Sequence, residues 1–555
     1  MRSLRLVPSV DSVKPLITSI AGQASKFNQA HKFVQILAWT VIALGIFFRL
    51  YQLPTRTLFF DEAVTQLRIA GHTETELWQT LYDGQPRTAQ TLRTTATVDQ
   101  ASSLAKTVAS LAEEDAQHPP LFYILELGVV HILGNSLLAW RILPAIFGIL
   151  SIGAAGALAQ AFFPKTSAGL LAAAVFAVSP IERIYSEQAR EYSLLTLIVL
   201  LATLAFLRAW QSNSFVAWSL YTLVAAAGLY TSPFMGYVLA GHFVAVLALN
   251  HTYPFDQFRA FTLAGAATLI LSAPWLYQIF IHAEGISEQN TWSATTWPLT
   301  RLLTKWVFNV GSTFFDLEYL NLRWAIVLGL IAIIAVIALM SALRNTTKET
   351  RWILGAAVIV PALLLIMPDL LFGQHRSAVA RYGLPVYAAL AILVARGIVN
   401  RPIFATILLS AGLSSCAIGA LHPSWWDNDV NGDDTKIAAI INSVPGAQVI
   451  STMTPGTVVA FSQLLKPEIP VSLVTDVTQA RFSRDRPLFV IHPDEKNLRD
   501  LRRSTGLVFT QVSFPRTQTA HDIGTHIGGS GTSPENDAQG LYMALKPRIG
   551  QIISH

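Results

Sequence analysis

Residues 34–66 read VQILAWTVIALGIFFRLYQLPTRTLFFDEAVTQ, and their order decides the architecture. The run 34–53 approaches the ~20 apolar residues a helix needs to cross a bilayer, and its single charge, Arg49, sits near the far end. Just beyond it come Phe59-Phe60 and two adjacent carboxylates, Asp61-Glu62. Acids at the point where a span leaves the membrane have two readings. They are a solvated helix start favoured by the helix dipole, or groups that take a proton from an acceptor or hold a divalent cation at the surface.

Outward from that stretch, lipid is the solvent for much of the chain. Of 555 residues 52% are hydrophobic and 13% charged, with mean hydropathy +0.45; soluble domains carry about 25% charged residues. Further apolar runs lie at 138–161, 166–181, 191–210, 215–231, 233–250, 260–283, 323–343, 352–371, 382–397 and 403–421. With 34–53 they predict a membrane all-α fold, a polytopic helical bundle of about eleven spans. The net charge of +5 comes from scattered basic residues, which read as orientation charges and exclude a nucleic-acid surface. One cysteine, Cys416, excludes an intrachain disulfide framework or a cysteine metal cluster. Residues 1–33 carry Arg2, Arg5, Lys14, Lys26 and Lys32 without an apolar h-region, so they are expected to be a cytoplasmic segment with the first span as an uncleaved anchor.

Orientation turns on the run 119–135 (PPLFYILELGVVHILGN), which contains Glu126 and His131. With the N-terminus inside and this run lying along the surface, the cytoplasmic turns hold Lys165, Arg208, Arg259, Arg344/Lys348/Arg351 and Arg396/Arg401. If the run spans, all of these move outside, against the positive-inside rule. The surface placement is therefore expected, and it leaves three segments outside. The loop 54–137 carries interfacial helices, 284–322 is rich in Trp and Phe as suits a lipid interface, and 422–555 follows the last span. In this tail β-rich runs at 446–453, 469–475, 486–493, 507–515 and 540–547 alternate with helical patterns such as 494–505, predicting a small extracytoplasmic α/β domain. Its stretch GGSGTS (528–533) lacks the Lys-Ser/Thr of a phosphate loop and reads as a flexible loop.

Chemistry-bearing residues cluster on the outer side. Glu113-Glu114-Asp115-Ala116-Gln117-His118-Pro119-Pro120 ends an acidic loop, and the double proline starts a surface helix with His118 at its N-terminal end, where an anion is welcome. Arg141 opens the second span in 140-WRILPAIFGIL; Arg183 and Arg190 fall in 181-IERIYSEQAREY, and Arg376 and Arg381 in 374-QHRSAVARYG. Arginines on this face oppose the orientation bias. A lipid-linked phosphate would compensate them through guanidinium forks; snorkelling or pairing with Glu182, Glu187 or Glu191 would do so as well.

The order span, DE, HPP, span-opening Arg resembles the GT-C glycosyltransferases of the protein O-mannosyltransferase and aminoarabinose-transferase type, over roughly residues 34–400. AREYSLL (189–195) and RYGLPVY (381–387) look like outer-face motifs of the same family. The resemblance implies a catalytic 34–421 membrane domain with its active site on loop 54–137. It implies Asp61 as catalytic base with Glu62 beside it, and a donor phosphate held by Arg141, His118, Arg190, Tyr192, Arg381 and Tyr382. The mannosyltransferase pattern often has an acid two residues before the HPP histidine; here Ala116 stands there, leaving Glu114 or Asp115 to serve the acceptor or a metal. The implied reaction moves a hexose or pentose from a polyprenyl-phosphate donor to a lipid, glycan or protein acceptor at the extracytoplasmic face of the plasma membrane. Mg²⁺ or Mn²⁺ is compatible with the loop acids, but no ligand spacing demands a cation. A flippase of lipid-linked glycans would need mid-membrane charges and related halves; no internal repeat is visible. A polysaccharide polymerase or ligase would place its large outer loop later in the chain.

Overall fold

The computed structural model describes residues 10–249, 255–317, 322–421, 434–512 and 541–545. Helix α1 (Val10–Leu50) contains the membrane-crossing stretch Gln29–Leu50. Beyond it the loop 54–137 folds into α2 (Phe60–Ala70), α3 (Glu74–Leu81), a short strand β1 (Asp83–Thr88), α4 (Ala89–Thr94) and α5 (Leu104–Glu114). The double proline then starts α6 (Leu121–Leu133), whose 13 residues extend about 20 Å, too short to cross.

The bundle continues through α7 (Leu137–Phe162), α8 (Ala168–Ala177), α9 (Pro180–Ser186), α10 (Tyr192–Ser212), α11 (Phe215–Leu229), α12 (Met235–Leu249) and α13 (Phe255–Ile281). The segment between the next two spans forms α14 (Ala283–Gln289) and α15 (Leu299–Gly311), and α16 (Leu322–Arg344), α17 (Lys348–Phe372), α18 (Leu384–Ile398) and α19 (Pro402–Ala420) complete the bundle. Every apolar run of the sequence is helical. Among the described residues eight helices are long and apolar enough to cross a membrane, or nine if α8 and α9, bent by 60°, count as one span. The other two runs, α11 and α12, are 15 residues each and fall short.

The bend has a local cause and a specific repair. Pro180 brings no amide hydrogen, so the ladder of α8 cannot run on into α9. The carbonyls of Phe176 and Ala177 at the end of α8 accept from the buried Arg49 guanidinium, at 2.8 and 2.6 Å. Close to this joint Arg56 and Arg183 both pair with Glu187, at 3.0 and 2.6 Å, all three fully buried. Small residues let the helices approach: a Cβ on Gly397 of α18 would lie 1.9 Å from the Ala338 carbonyl oxygen of α16.

After the bundle come α20 (Asp434–Ser443), β2 (Gln448–Ser451), α21 (Pro455–Ser462), β3 (Pro470–Val474), β4 (Leu488–Ile491), α22 (Glu495–Thr505), β5 (Val508–Val512) and β6 (Leu541–Leu545). The β-rich runs of the tail are all strands of one six-stranded sheet, order β1-β3-β2-β4-β6-β5, and 494–505 is helical. Its centre, β3-β2-β4, is parallel. One edge is unexpected. β1 comes from the outer loop between the first two spans and pairs antiparallel with β3, Arg87 opposite Val471. The stretch 528–533 lies outside the described residues.

Candidate active site

The two carboxylates at the start of α2 have opposite surroundings. Consecutive helix positions are separated by about 100°, so the two side chains leave the helix in different directions, though both are largely buried. Glu62 is fully buried. Arg141 donates to it through Nε and Nη2, both at 2.8 Å, and the amides of Ala189 and Phe59 add bonds of 2.9 and 3.1 Å. The remaining Arg141 donors go to the carbonyls of Leu53, Arg56 and Thr57, each at 3.0 Å. Every guanidinium donor of Arg141 is thus engaged within the protein and its surface is closed. The expectation for Arg141 was a lipid phosphate; in the structure the anion it meets is Glu62. Glu62, expected beside the base, has its hydrogen-bonding capacity taken up by Arg141 and two backbone amides.

Asp61 keeps 12% of its side-chain surface and faces Arg381, Nη1 to Oδ2 3.8 Å. Arg190 lies on its other side. It donates Nη1 to the Thr65 hydroxyl at 3.1 Å and, more weakly, to the Asp61 carbonyl and the Tyr123 hydroxyl at 3.4 Å. Its Nη2 is 3.2 Å from the His118 ring, and Nε is 3.3 Å from Glu191. His118, 22% exposed, is also 2.9 Å from Glu191 through Nδ1. Glu191 and His118 draw the Arg190 guanidinium together, and the neighbouring carboxylate and tyrosines outweigh burial to hold its pKa above the ordinary value. The two tyrosines expected at the donor site flank the arginines: Tyr192 is 5.5 Å from Arg190 and Tyr382 is 5.4 Å from Arg381, each by its ring centre. The structure therefore gathers Asp61, His118, Arg190, Tyr192, Arg381 and Tyr382 in one place.

The loop acids separate. Glu114 is bound to Arg68 at 2.6 Å and caps the start of α3 by accepting from the Glu74 and Thr75 amides, at 2.5 and 2.9 Å. Glu114, expected toward acceptor or metal, is thus held by Arg68 and the start of α3; against burial, which raises its pKa, Arg68 and these hydrogen bonds lower it. Asp115 stays beside the site, 3.8 Å from His118 and 3.7 Å from Arg68. Among the described residues no group of three or more His, Cys, Asp or Glu side chains is arranged to hold a metal ion. Of the other outer arginines, Arg183 pairs with Glu187 and Arg376 donates Nε to the Ser293 hydroxyl at 3.0 Å.

Thr65 and Tyr123 are the additions. Thr65 was recoverable, because it lies one helical turn from Asp61 on the same face. Tyr123 follows the HPP motif within an apolar helix and carries no such signal.

Comparison with known proteins places part of the chain beside a family and its fold beside solved structures. Residues 117–278 match the family model described as dolichyl-phosphate-mannose-protein mannosyltransferase. No curated protein matches the chain in sequence. The fold is similar to ArnT from Cupriavidus metallidurans bound to undecaprenyl phosphate, at 12% identity and TM-score 0.50, covering 91% of this chain and 97% of that one. The Archaeoglobus fulgidus oligosaccharyltransferase in the apo form aligns at 13% identity and TM-score 0.42, over 78% of this chain and 64% of that one. A segment of the chain thus matches the mannosyltransferase family model, and the fold as a whole is similar to that of the membrane glycosyltransferase ArnT.

Proposed function

We propose that this transferase takes a sugar from a polyprenyl-phosphate carrier and delivers it to an acceptor on the extracytoplasmic face, with Asp61 as general base. The observation that carries the reading is the contrast at the DE turn: Asp61 keeps 12% of its side-chain surface and meets Arg381 only at 3.8 Å, while Glu62 is sealed. The undecaprenyl phosphate bound by ArnT supports a lipid phosphate as the donor group.

Asp61 accepts the proton of an acceptor hydroxyl or amine as that atom bonds to the anomeric carbon. The sugar–phosphate C–O bond breaks, and the lipid phosphate leaves with the electron pair. Its charge is met by Arg190 and Arg381, with His118 beside them, so it needs no proton. A single carboxylate base suits inversion at the anomeric carbon, by analogy with inverting hydrolases. Charge asymmetry supports the face, because the basic turns 344–351 and 396–401 belong inside.

Mass spectrometry of lipid retained by the purified protein tests the donor class. Wild type is expected to carry a polyprenyl phosphate that the Arg190→Ala/Arg381→Ala double variant loses. Equal retention by both, or none by wild type, contradicts the reading.

A further inference from the structure

The helix α21, after the membrane domain in sequence, is capped at both ends by the loop that carries Asp61. Its own N-cap residue, Thr454, makes no side-chain cap bond. The Gly456 amide in its first turn instead faces the carboxylate of Glu74 from α3. Just before it, the Tyr82 hydroxyl donates to the Met453 carbonyl. At the other end Arg93 forks onto the Ser462 carbonyl, at 2.9 and 2.8 Å, and reaches the Leu465 carbonyl as well. Orphan groups at helix ends need such partners, and here the outer loop supplies them at both ends. Strand β1 repeats the attachment on the sheet edge.

Between these ends α21 lies directly on α2. Val459 and Ala460 share a buried cluster with Leu58, Ala63 and Leu67. The contact is closest at Gly456, where an added Cβ would lie 2.6 Å from Val64 Cγ2 and 3.6 Å from the Phe60 carbonyl oxygen. Phe60 and Val64 bracket Asp61 on α2. The first turn of α2 is thus held from one side by Arg141 on Glu62 and from the other by α21.

We propose that α21 is a positioning element of the transferase, and that Gly456 sets the location of Asp61 by seating α21 on α2. This rests on Asp61 acting as the base. Pushing α21 away shifts the carboxylate relative to the anomeric carbon while leaving Arg190 and Arg381 in place. Misplacement of about 1 Å is enough to cost on the order of 100-fold in rate.

The test uses the full chain in proteoliposomes with synthetic polyprenyl-phosphate hexoses and pentoses, and bare undecaprenyl phosphate as the binding probe. Gly456→Val is expected to lower kcat by about tenfold or more, with donor KM and undecaprenyl phosphate binding unchanged. In Gly456→Ala, adding Val64→Ala removes the colliding methyl groups and should restore kcat. Wild-type kcat in Gly456→Val beside an inactive Asp61→Asn overturns the positioning role and leaves the base standing. Wild-type kcat in both overturns the base and this proposal with it. Should Gly456→Val elute as aggregate, the Ala pair decides: rescue supports the proposal, and equal kcat with and without Val64→Ala overturns it.

Discussion

Asp61 and Glu62 are neighbours in the chain and opposites in the structure. Glu62 accepts four hydrogen bonds from Arg141 and two backbone amides in a sealed interior. Asp61 meets one guanidinium at 3.8 Å, at a partly open surface. A carboxylate whose hydrogen-bonding capacity is filled by the fold serves to hold the chain; one left loosely held has capacity for a substrate. The arginines divide in the same way. Arg141 spends all five donors on the protein, whereas Arg381 has a long contact to Asp61 and keeps 20% of its side-chain surface.

Removing one partner of the sealed pair should have the largest effect on stability. Arg141→Ala leaves Glu62 buried and uncompensated, and thermal unfolding should show a loss of about 3–5 kcal/mol. A melting curve close to wild type would erase the distinction between the two regions. Next come the two arginines beside Asp61. Arg190→Ala and Arg381→Ala should each weaken undecaprenyl phosphate binding by ~1.5–3 kcal/mol, and Arg381→Ala should do so with little change in melting temperature. If Arg141→Ala weakens binding more than either without loss of stability, the roles are reversed.

The smallest effect belongs to Glu114, which sharpens the contrast by its dependence on pH. Its pKa is lowered in the folded protein from the ordinary 4.5, as Arg68 and the α3 amides outweigh burial. A depressed carboxylate stabilises the fold fully above its ordinary value and loses that contribution as pH falls through the folded value. Glu114→Gln should therefore melt below wild type at neutral pH, and the gap should shrink below about pH 4. A gap that widens in acid contradicts the assignment.

Much of this was legible in the sequence. Runs of apolar residues marked each helix of the bundle, and alternating β-rich runs marked each strand of the tail, because both patterns are local. The edge strand β1 was not legible: DGQPRT holds Asp, Gly and Pro, residues depleted from strands. It is extended because β3 offers an unpaired edge, a fact belonging to residues far along the chain. At the site, the DE pair and the outer-face arginines stood out for their position against the orientation bias. Which carboxylate is open depends on Arg141, 79 residues away from Glu62. An arginine that opposes the bias needs an anion, but its sequence does not distinguish a ligand from a buried glutamate. The same holds for the acids before His118: Asp115 stays close to it while Glu114 turns to Arg68.

The most direct measurement is sugar transfer by Asp61→Asn, paired with undecaprenyl phosphate binding by the same variant. Asn keeps the size and one acceptor oxygen but cannot take a proton at neutral pH. Transfer should fall by about 10²–10⁴-fold, the usual contribution of a general base, while folding and lipid binding remain at wild-type level. Transfer near the wild-type rate would contradict the account and return Asp61 to the role of a helix start.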